Sequence, residues 1–285
     1  MSLPSVSVIT PSFNAAAYLE DAIFSVRRQG GVAAEHIVID AASTDGTLAM
    51  LQRHPHLRWI SGPDRGQSDA INKGFLMATG ELVGWLNADD YYLPGGLEAI
   101  ARAAETHPEA DVVHGDCVFV DPCGRVVRSK VEHDFDFNVL LYFGCYIPST
   151  ATFFRRRLIE RGLLLDCDYR VAMDFEFFAR LARLGCRFHY VPQFIAAFRW
   201  HEDNVSLRNA ERRAHERRLV QRAAGCERPE WDMEVRRYWA RGRRLAKKIV
   251  SGNIAREWQV RRKIGFDTRW MNAAEALLWQ NLPSW

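Results

Sequence analysis

No run in this 285-residue chain approaches the roughly 18 consecutive apolar positions that a membrane-spanning helix needs. The longest candidate, Val139 to Ile147, falls well short of that, so a spanning helix is not expected. The N-terminus also lacks a basic segment followed by an apolar core. Ser5-Val6-Ser7-Val8-Ile9-Thr10 reads as a strand, and the expected compartment is the cytoplasm. The six cysteines (117, 123, 145, 167, 186 and 226) form no CxxC pair and have no histidine spacing suited to zinc, so they are expected to be reduced thiols packed as small hydrophobes. No internal repeat or low-complexity tract is present, and the length and apolar content exclude disorder and fibrous repeats. Strong net charge is missing too, at +3, but that balance conceals a division. Residues 1–205 hold 19 Lys and Arg against 26 Asp and Glu, net −7, while residues 206–285 hold 19 against 9, net +10.

With 48% apolar residues the chain can bury a full core. Strand-like runs over Ser5–Thr10, Glu35–Asp40, Leu57–Ile60 and Leu82–Leu86 alternate with helical stretches over Ala15–Arg28, Thr47–Arg53 and Asp69–Ala78. Asn14, Asp45 and Ser68 stand where they could cap those helices. This alternation predicts a parallel sheet with right-handed crossovers, and ligands of such sheets bind beyond the carboxyl ends of the strands. Further on, Asp121-Pro122-Cys123-Gly124 reads as a turn between antiparallel strands, and Met173–Leu184 as a helix. From Leu207 the chain is Arg-rich and helical in propensity, with breaks near Gly225–Pro229 and Ser251–Asn253.

The sharpest local feature is Asn87-Ala88-Asp89-Asp90 directly after the apolar Leu82–Leu86. Adjacent carboxylates at the end of a buried strand call for a cation, and their hard oxygen donors suit Mg²⁺ or Mn²⁺ shared with a phosphate. The alternative is a turn whose acids are merely solvated. Asp40 ends a second strand, where it could accept a hydrogen bond from a base N–H, ahead of the Thr44–Thr47 turn. Arg65 lies in the Asp64–Gly74 segment, a loop entering a helix, where anions are favoured. Asp174, opening a helix, either serves as a general base or only caps that helix, with Glu176 its nearest rival.

Pro11-Ser12-Phe13-Asn14, Ile39-Asp40 through Thr47, Gly62 through Gly74, and Ala78 through Asp90 resemble, in order and spacing, the family 2 glycosyltransferases of the GT-A fold. The likeness continues through Met173-Asp174-Phe175-Glu176 to Trp200-His201-Glu202-Asp203 and so covers about residues 5–206. It implies a Rossmann-like, mostly parallel sheet flanked by helices over residues 1–205 and says nothing of residues 206–285, which composition alone marks as a basic α-helical extension. It also implies a nucleotide-diphosphate sugar as donor, UDP by family habit, with a hydroxyl acceptor and inverting transfer. Pro11, Phe13, Asn14, Asp40 and Asp69 would line the nucleotide site. Asn87 and Asp89 would fill the DxD position, with Asp89 a ligand of Mn²⁺ or Mg²⁺, Asp90 beside it and His201 completing the metal or diphosphate site. Asp174 falls on the family's base. The chain departs from the family pattern at Asn87, which replaces an acid, at Ala41-Ala42, and at Met173 in place of Glu.

A nucleotidyltransferase would share a metal-carboxylate site, but the glycine-rich basic loop it needs after the first strand is missing. A nucleotide-sugar-binding protein without turnover is the non-enzymatic alternative. The expected partners are the donor and a saccharide or lipid-linked acceptor, in surface-polysaccharide or glycolipid synthesis, with no nucleic acid. Between Val235 and Ile249 apolar residues recur at helical spacing among seven Arg and Lys, and six of the nine tryptophans (231, 239, 258, 270, 279 and 285) come after residue 230. This basic amphipathic tail either rests on an anionic inner leaflet, or packs on the acidic catalytic domain or against a second copy of the chain.

Overall fold

The four apolar runs of the N-terminal third become adjacent parallel strands. In the computed structural model, which describes residues 3–202, 204, 209–226 and 228–264, these are β1 (Val6–Ser12), β2 (Ala34–Asp40), β3 (Arg58–Ser61) and β4 (Leu82–Trp85), in the order β3-β2-β1-β4. Every residue of β1 is buried, because helices cover both faces of the sheet. Its side chains alternate between two cores. Ile9 joins Ile37, Trp85 and Phe154 beneath α3 (Gln67–Met77), while Val6 and Val8 pack with Leu19, Ile23 and Val26 of α1 (Leu19–Arg27). Trp85 stacks on Phe154 with ring centres 5.6 Å apart and planes within 5°.

The helix starts depart from expectation. Asn14 lies outside α1 and uses its side chain on Thr44; Ser68 is inside α3, whose cap position is Gly66. Asp45 does accept from Thr47 N at 2.9 Å, although Gly46 holds the cap position of α2 (Thr47–Gln52). In each case the loop preceding the helix draws the polar side chain away from the helix or displaces the helix start.

Past β4 the same sheet continues with mixed strand directions. The strands are β5 (Tyr91–Tyr92), β6 (Val112–Val120), β7 (Val126–Lys130), β8 (Thr152–Arg155) and β9 (Phe188–Arg199), giving the order β3-β2-β1-β4-β8-β6-β9-β5, with β7 paired to β6. β8 is antiparallel to both β4 and β6, and β9 runs parallel to β6. The β6–β7 hairpin turns as expected, with Gly124 at φ 80° and Asp121 accepting from Arg125 N at 2.8 Å. The helices are α4 (Gly96–Thr106), α5 (Phe137–Phe143), α6 (Arg156–Glu160) and α7 (Met173–Arg183). Cys117 is fully buried, Cys145, Cys186 and Cys226 are half-buried against the core, and Cys123 is exposed, so packing as small hydrophobes describes four of the six.

The tail forms α8 (Ala210–Ala223), α9 (Glu230–Val250) and α10 (Asn253–Ile264), with breaks where the sequence places them. α8 packs on α7, α9 on α5, and α10 on β7. The basic side of α9 faces inward: Arg244 pairs with the fully buried Glu132 at 2.8 Å, and Arg243 and Lys247 with Asp136. Arg256 of α10 pairs with Asp116 of β6, and Lys248 with Glu257. The apolar side faces outward, leaving Trp231, Val235, Tyr238, Trp239, Leu245 and Ile249 exposed. Asp203, the 205/206 boundary and Trp270, Trp279 and Trp285 lie outside the described residues. No helix among the described residues is long and apolar enough to cross a membrane.

Candidate active site

The carboxyl ends of β1, β2 and β4 open onto one cleft of about 940 Å³. Two loops form its first wall, and hydrogen bonds staple them together. Asn14, held at φ 48°, donates its backbone N–H to Ser43 Oγ at 2.8 Å, and its side-chain oxygen accepts from Thr44 N at 2.9 Å. Ala15 N donates to Thr47 Oγ1 and Ala16 N to Asp45 Oδ2, each at 3.0 Å. Asp40 organises this wall from beneath: its buried carboxylate accepts from Ser43 N, Ser43 Oγ and Ser61 Oγ. Phe13 stands on the rim, 65% exposed, an aromatic face without protein cover.

The turn after β4 supplies the second wall. Asp89 and His201 both line the cleft, with His201 Nε2 at 2.9 Å from Asp89 Oδ2 and the imidazole stacked on Tyr18. Asn204 joins them, donating to Asp89 Oδ2 at 3.3 Å. Arg199, 3% exposed at the end of β9, ties this turn down: it donates from Nε to Asp89 O, from Nη1 to Pro122 O and from Nη2 to Asp21 Oδ2. Asp90 points away from the cleft. It is fully buried, accepts from Arg199 N and Asn87 Nδ2, and is held well above the usual carboxyl range by burial and then by the charge of Asp89.

The start of α7 completes the site. Asp174 lines the cleft, with one carboxylate oxygen accepting from Phe175 N at 2.7 Å and the other from Cys145 Sγ at 3.6 Å. Burial raises its affinity for a proton above that of an ordinary carboxyl. Glu176 is instead clasped by Arg180 at 2.6 Å and does not line the cleft.

Of the residues singled out in the sequence, Pro11, Phe13, Asn14, Asn87, Asp89, Asp174 and His201 meet in this one cleft. Asp40 and Asp90 lie behind it. Arg65 and Asp69 lie beside it, joined to each other at 3.2 Å, with Lys73 closing on Asp69 at 3.1 Å. Tyr18, Ser149 and Arg170 also line the cleft and carry no local motif, and Gln67 joins them. Gln67 could have been suspected, since it donates to Asn87 at 2.7 Å from inside the conspicuous Asp64–Gly74 segment.

Asp89 and His201 offer one hard oxygen and one imidazole nitrogen to the cleft, and among the described residues no group of three or more His, Cys, Asp or Glu could hold a metal. Two protein donors suit a cation that takes its remaining ligands from a bound diphosphate and water, and an imidazole beside a carboxylate fits Mn²⁺ better than Mg²⁺.

The glycosyl transferase family 2 pattern matches residues 7–181. Over 187 residues the chain is 34% identical to an uncharacterized glycosyltransferase of Mycobacterium tuberculosis, which covers 64% of this chain and 70% of that protein. It is 33% identical over 183 residues to a PGL/p-HBAD biosynthesis glycosyltransferase of Mycobacterium bovis, 62% of this chain and 69% of the relative. A mannosyltransferase of Pyrobaculum calidifontis, solved with GDP-Man and Mn²⁺, superimposes with a TM-score of 0.61 at 23% identity over 98% of this chain and 79% of that one. S. aureus TarS with UDP-GlcNAc gives 0.59 at 20% identity, over 71% of this chain and 60% of that one. At these identities the structural likeness is one of fold, the GT-A arrangement.

Proposed function

The chain belongs to glycosyl transferase family 2, and from that premise we propose that it moves a sugar from a nucleotide diphosphate, UDP by family habit, to a hydroxyl acceptor with inversion. The observation that carries this reading is the convergence of Asp174 and the Asp89–His201 pair on one cleft from separate elements. An acceptor hydroxyl in that cleft gives its proton to the Asp174 carboxylate as its oxygen forms a bond to the anomeric carbon. The bond from that carbon to the diphosphate oxygen breaks, and the electron pair leaves with the diphosphate. A divalent cation, held by Asp89 and His201 when bound, supplies positive charge where that negative charge develops. Phe13 offers its exposed ring to the base, Pro11 and Asn14 shape the pocket floor, and Asp40 keeps their loops in register.

Incubation with UDP-sugars and Mn²⁺ tests the reading. Release of UDP together with a glycosylated acceptor supports it. Consumption of UTP with release of pyrophosphate would assign a nucleotidyltransferase, and binding without product a sensor.

The acceptor side draws on a second observation. The outward stripe on α9, rich in Trp and Tyr, suits the interface of a bilayer, so the proposed acceptor is lipid-linked and the enzyme sits peripherally on the inner face of the membrane. The charge of the helix has another task, since Arg243, Arg244, Lys247 and Lys248 are engaged in ion pairs within the protein.

A further inference from the structure

Glu216 reaches from the C-terminal helices into the wall that carries Asp174. It lies on α8 and is 3% exposed, and its carboxylate accepts from three consecutive backbone N–H groups. Oε1 accepts from Arg170 N at 3.0 Å, and Oε2 from Val171 N at 2.9 Å and Ala172 N at 2.8 Å. Arg212, one turn earlier on α8, donates to Oε1 at 2.7 Å. Ala172 occupies the cap position of α7 and has no side chain with which to cap it. The N–H groups at a helix start lack partners within the helix, and a Ser or Asp at the cap position ordinarily supplies one. Here a carboxylate more than forty residues later in the chain ties down the approach to that helix. Burial pushes the Glu216 carboxyl up, but Arg212 and the three N–H groups outweigh it and favour the charged form.

The segment so held is part of the cleft: Arg170, Val171, Met173 and Asp174 all line it. Arg170 lays its guanidinium over Gly66 in the space that a Cβ would occupy, and the φ of 107° at Gly66 independently favours glycine there. We infer that Glu216 is a positioning residue for transfer, fixing the backbone at 170–172 so that Asp174, at the second residue of α7, stands where it can take the acceptor proton. This rests on Asp174 being the base. It makes α8 a part of the transfer machinery rather than an appendage.

Glu216→Gln in the full chain tests the inference. The amide keeps the shape but offers one acceptor oxygen in place of two and turns an NH₂ toward N–H donors. Because a misplacement of about 1 Å can cost about a hundredfold, kcat is expected to fall about 10- to 100-fold. UDP affinity by calorimetry should stay within about twofold, because Pro11, Phe13 and Asn14 sit on other elements. In an Asp174→Asn background the same change should lower the residual rate by less than about twofold, since the group being positioned is already gone. Glu216→Asp, which keeps the charge, should recover part of the rate, and it replaces Glu216→Gln in the cycle if that variant fails to fold. A normal kcat in Glu216→Gln beside a crippled Asp174→Asn overturns the inference and leaves the base standing. Losses that multiply across the two sites overturn it as well. Near-normal turnover in Asp174→Asn removes the base itself, and the positioning role with it.

Discussion

His201 Nε2 lies 2.9 Å from Asp89 Oδ2, a contact across 112 positions of sequence that sets an imidazole against the carboxylate of the turn after β4. If these two hold the cation, Asp89→Ala should weaken donor binding and abolish the response of turnover to Mn²⁺. His201→Ala should raise the Mn²⁺ concentration needed for half-maximal rate by about 10- to 100-fold. A metal titration of each variant decides, and curves that overlay the parent's would remove the pair from the metal site.

Asp174→Asn keeps the shape of the side chain and removes its basicity. Turnover should fall at least about a hundredfold with little change in UDP affinity. In the parent enzyme, burial raises the Asp174 carboxyl, so activity should decline on acidification from a pH above the ordinary carboxylate range, as the base becomes protonated. An acid limb of kcat/KM at the value of a free aspartate would contradict the assignment.

Glu35 ties stability to pH. Burial pushes its carboxyl up, but hydrogen bonds from Ser7, Thr79 and Arg58 bring it down from 4.5 to about 2. A carboxyl depressed in the folded state stabilises that state above its unfolded pKa and ceases to do so as pH falls through the folded one. The contribution is therefore present above about pH 4.5 and lost toward pH 2. Urea midpoints of Glu35→Gln should be lower than the parent's near neutrality, and the two should draw together as the pH falls across that window. A constant gap would show that the hydrogen bonds do not depend on charge.

Gly96 is a packing site remote from the chemistry. A Cβ there would stand 2.5 Å from the Ile195 carbonyl oxygen, a backbone atom that cannot step aside. Gly96→Ala should therefore cost about 1–3 kcal/mol in urea unfolding, with UDP affinity retained at temperatures where the variant is folded. A variant as stable as the parent would show that α4 can slide over β9.

The outward stripe on α9 makes its own prediction. The full chain should float with vesicles containing anionic lipid, and a Trp231→Ser, Tyr238→Ser, Trp239→Ser variant should stay below. Because the neighbouring cations are engaged by Asp136, Glu132 and Glu257, high salt should weaken flotation less than the loss of these rings does. Equal flotation of the two proteins, or none for the parent, would end the membrane reading.

Much of this molecule is legible in its sequence where local rules act. β1 to β4 arise from apolar runs, and the convergence of Asn14, Asp89 and Asp174 from strand ends and a helix start. The sequence falls short where distant partners decide. β9 begins at Phe188, but Pro192 and Gln193 interrupt the apolar pattern, at the stretch where its pairing with β6 shifts register, so only Phe194 onward reads as extended. Asp90 resembles a ligand until Arg199 N is found on its carboxylate. The pattern of α9 gives its two faces but cannot say which one turns inward; Glu132 and Asp136, about a hundred residues earlier, determine that.

The tether on Asp89 has a consequence for the order in which the protein is made. The turn at 87–90 leaves the ribosome long before Arg199 and His201, which hold it in place. At roughly 5–20 residues per second, the 112 positions between Asp89 and His201 take about 6 to 22 s to synthesise. Through that interval the nascent chain carries β1 to β4 and both stapled loops but lacks the groups that fix its acidic turn. A ribosome-bound chain arrested near residue 150 is accordingly expected to retain no radiolabelled UDP-sugar, whereas the full chain, once released, should retain it.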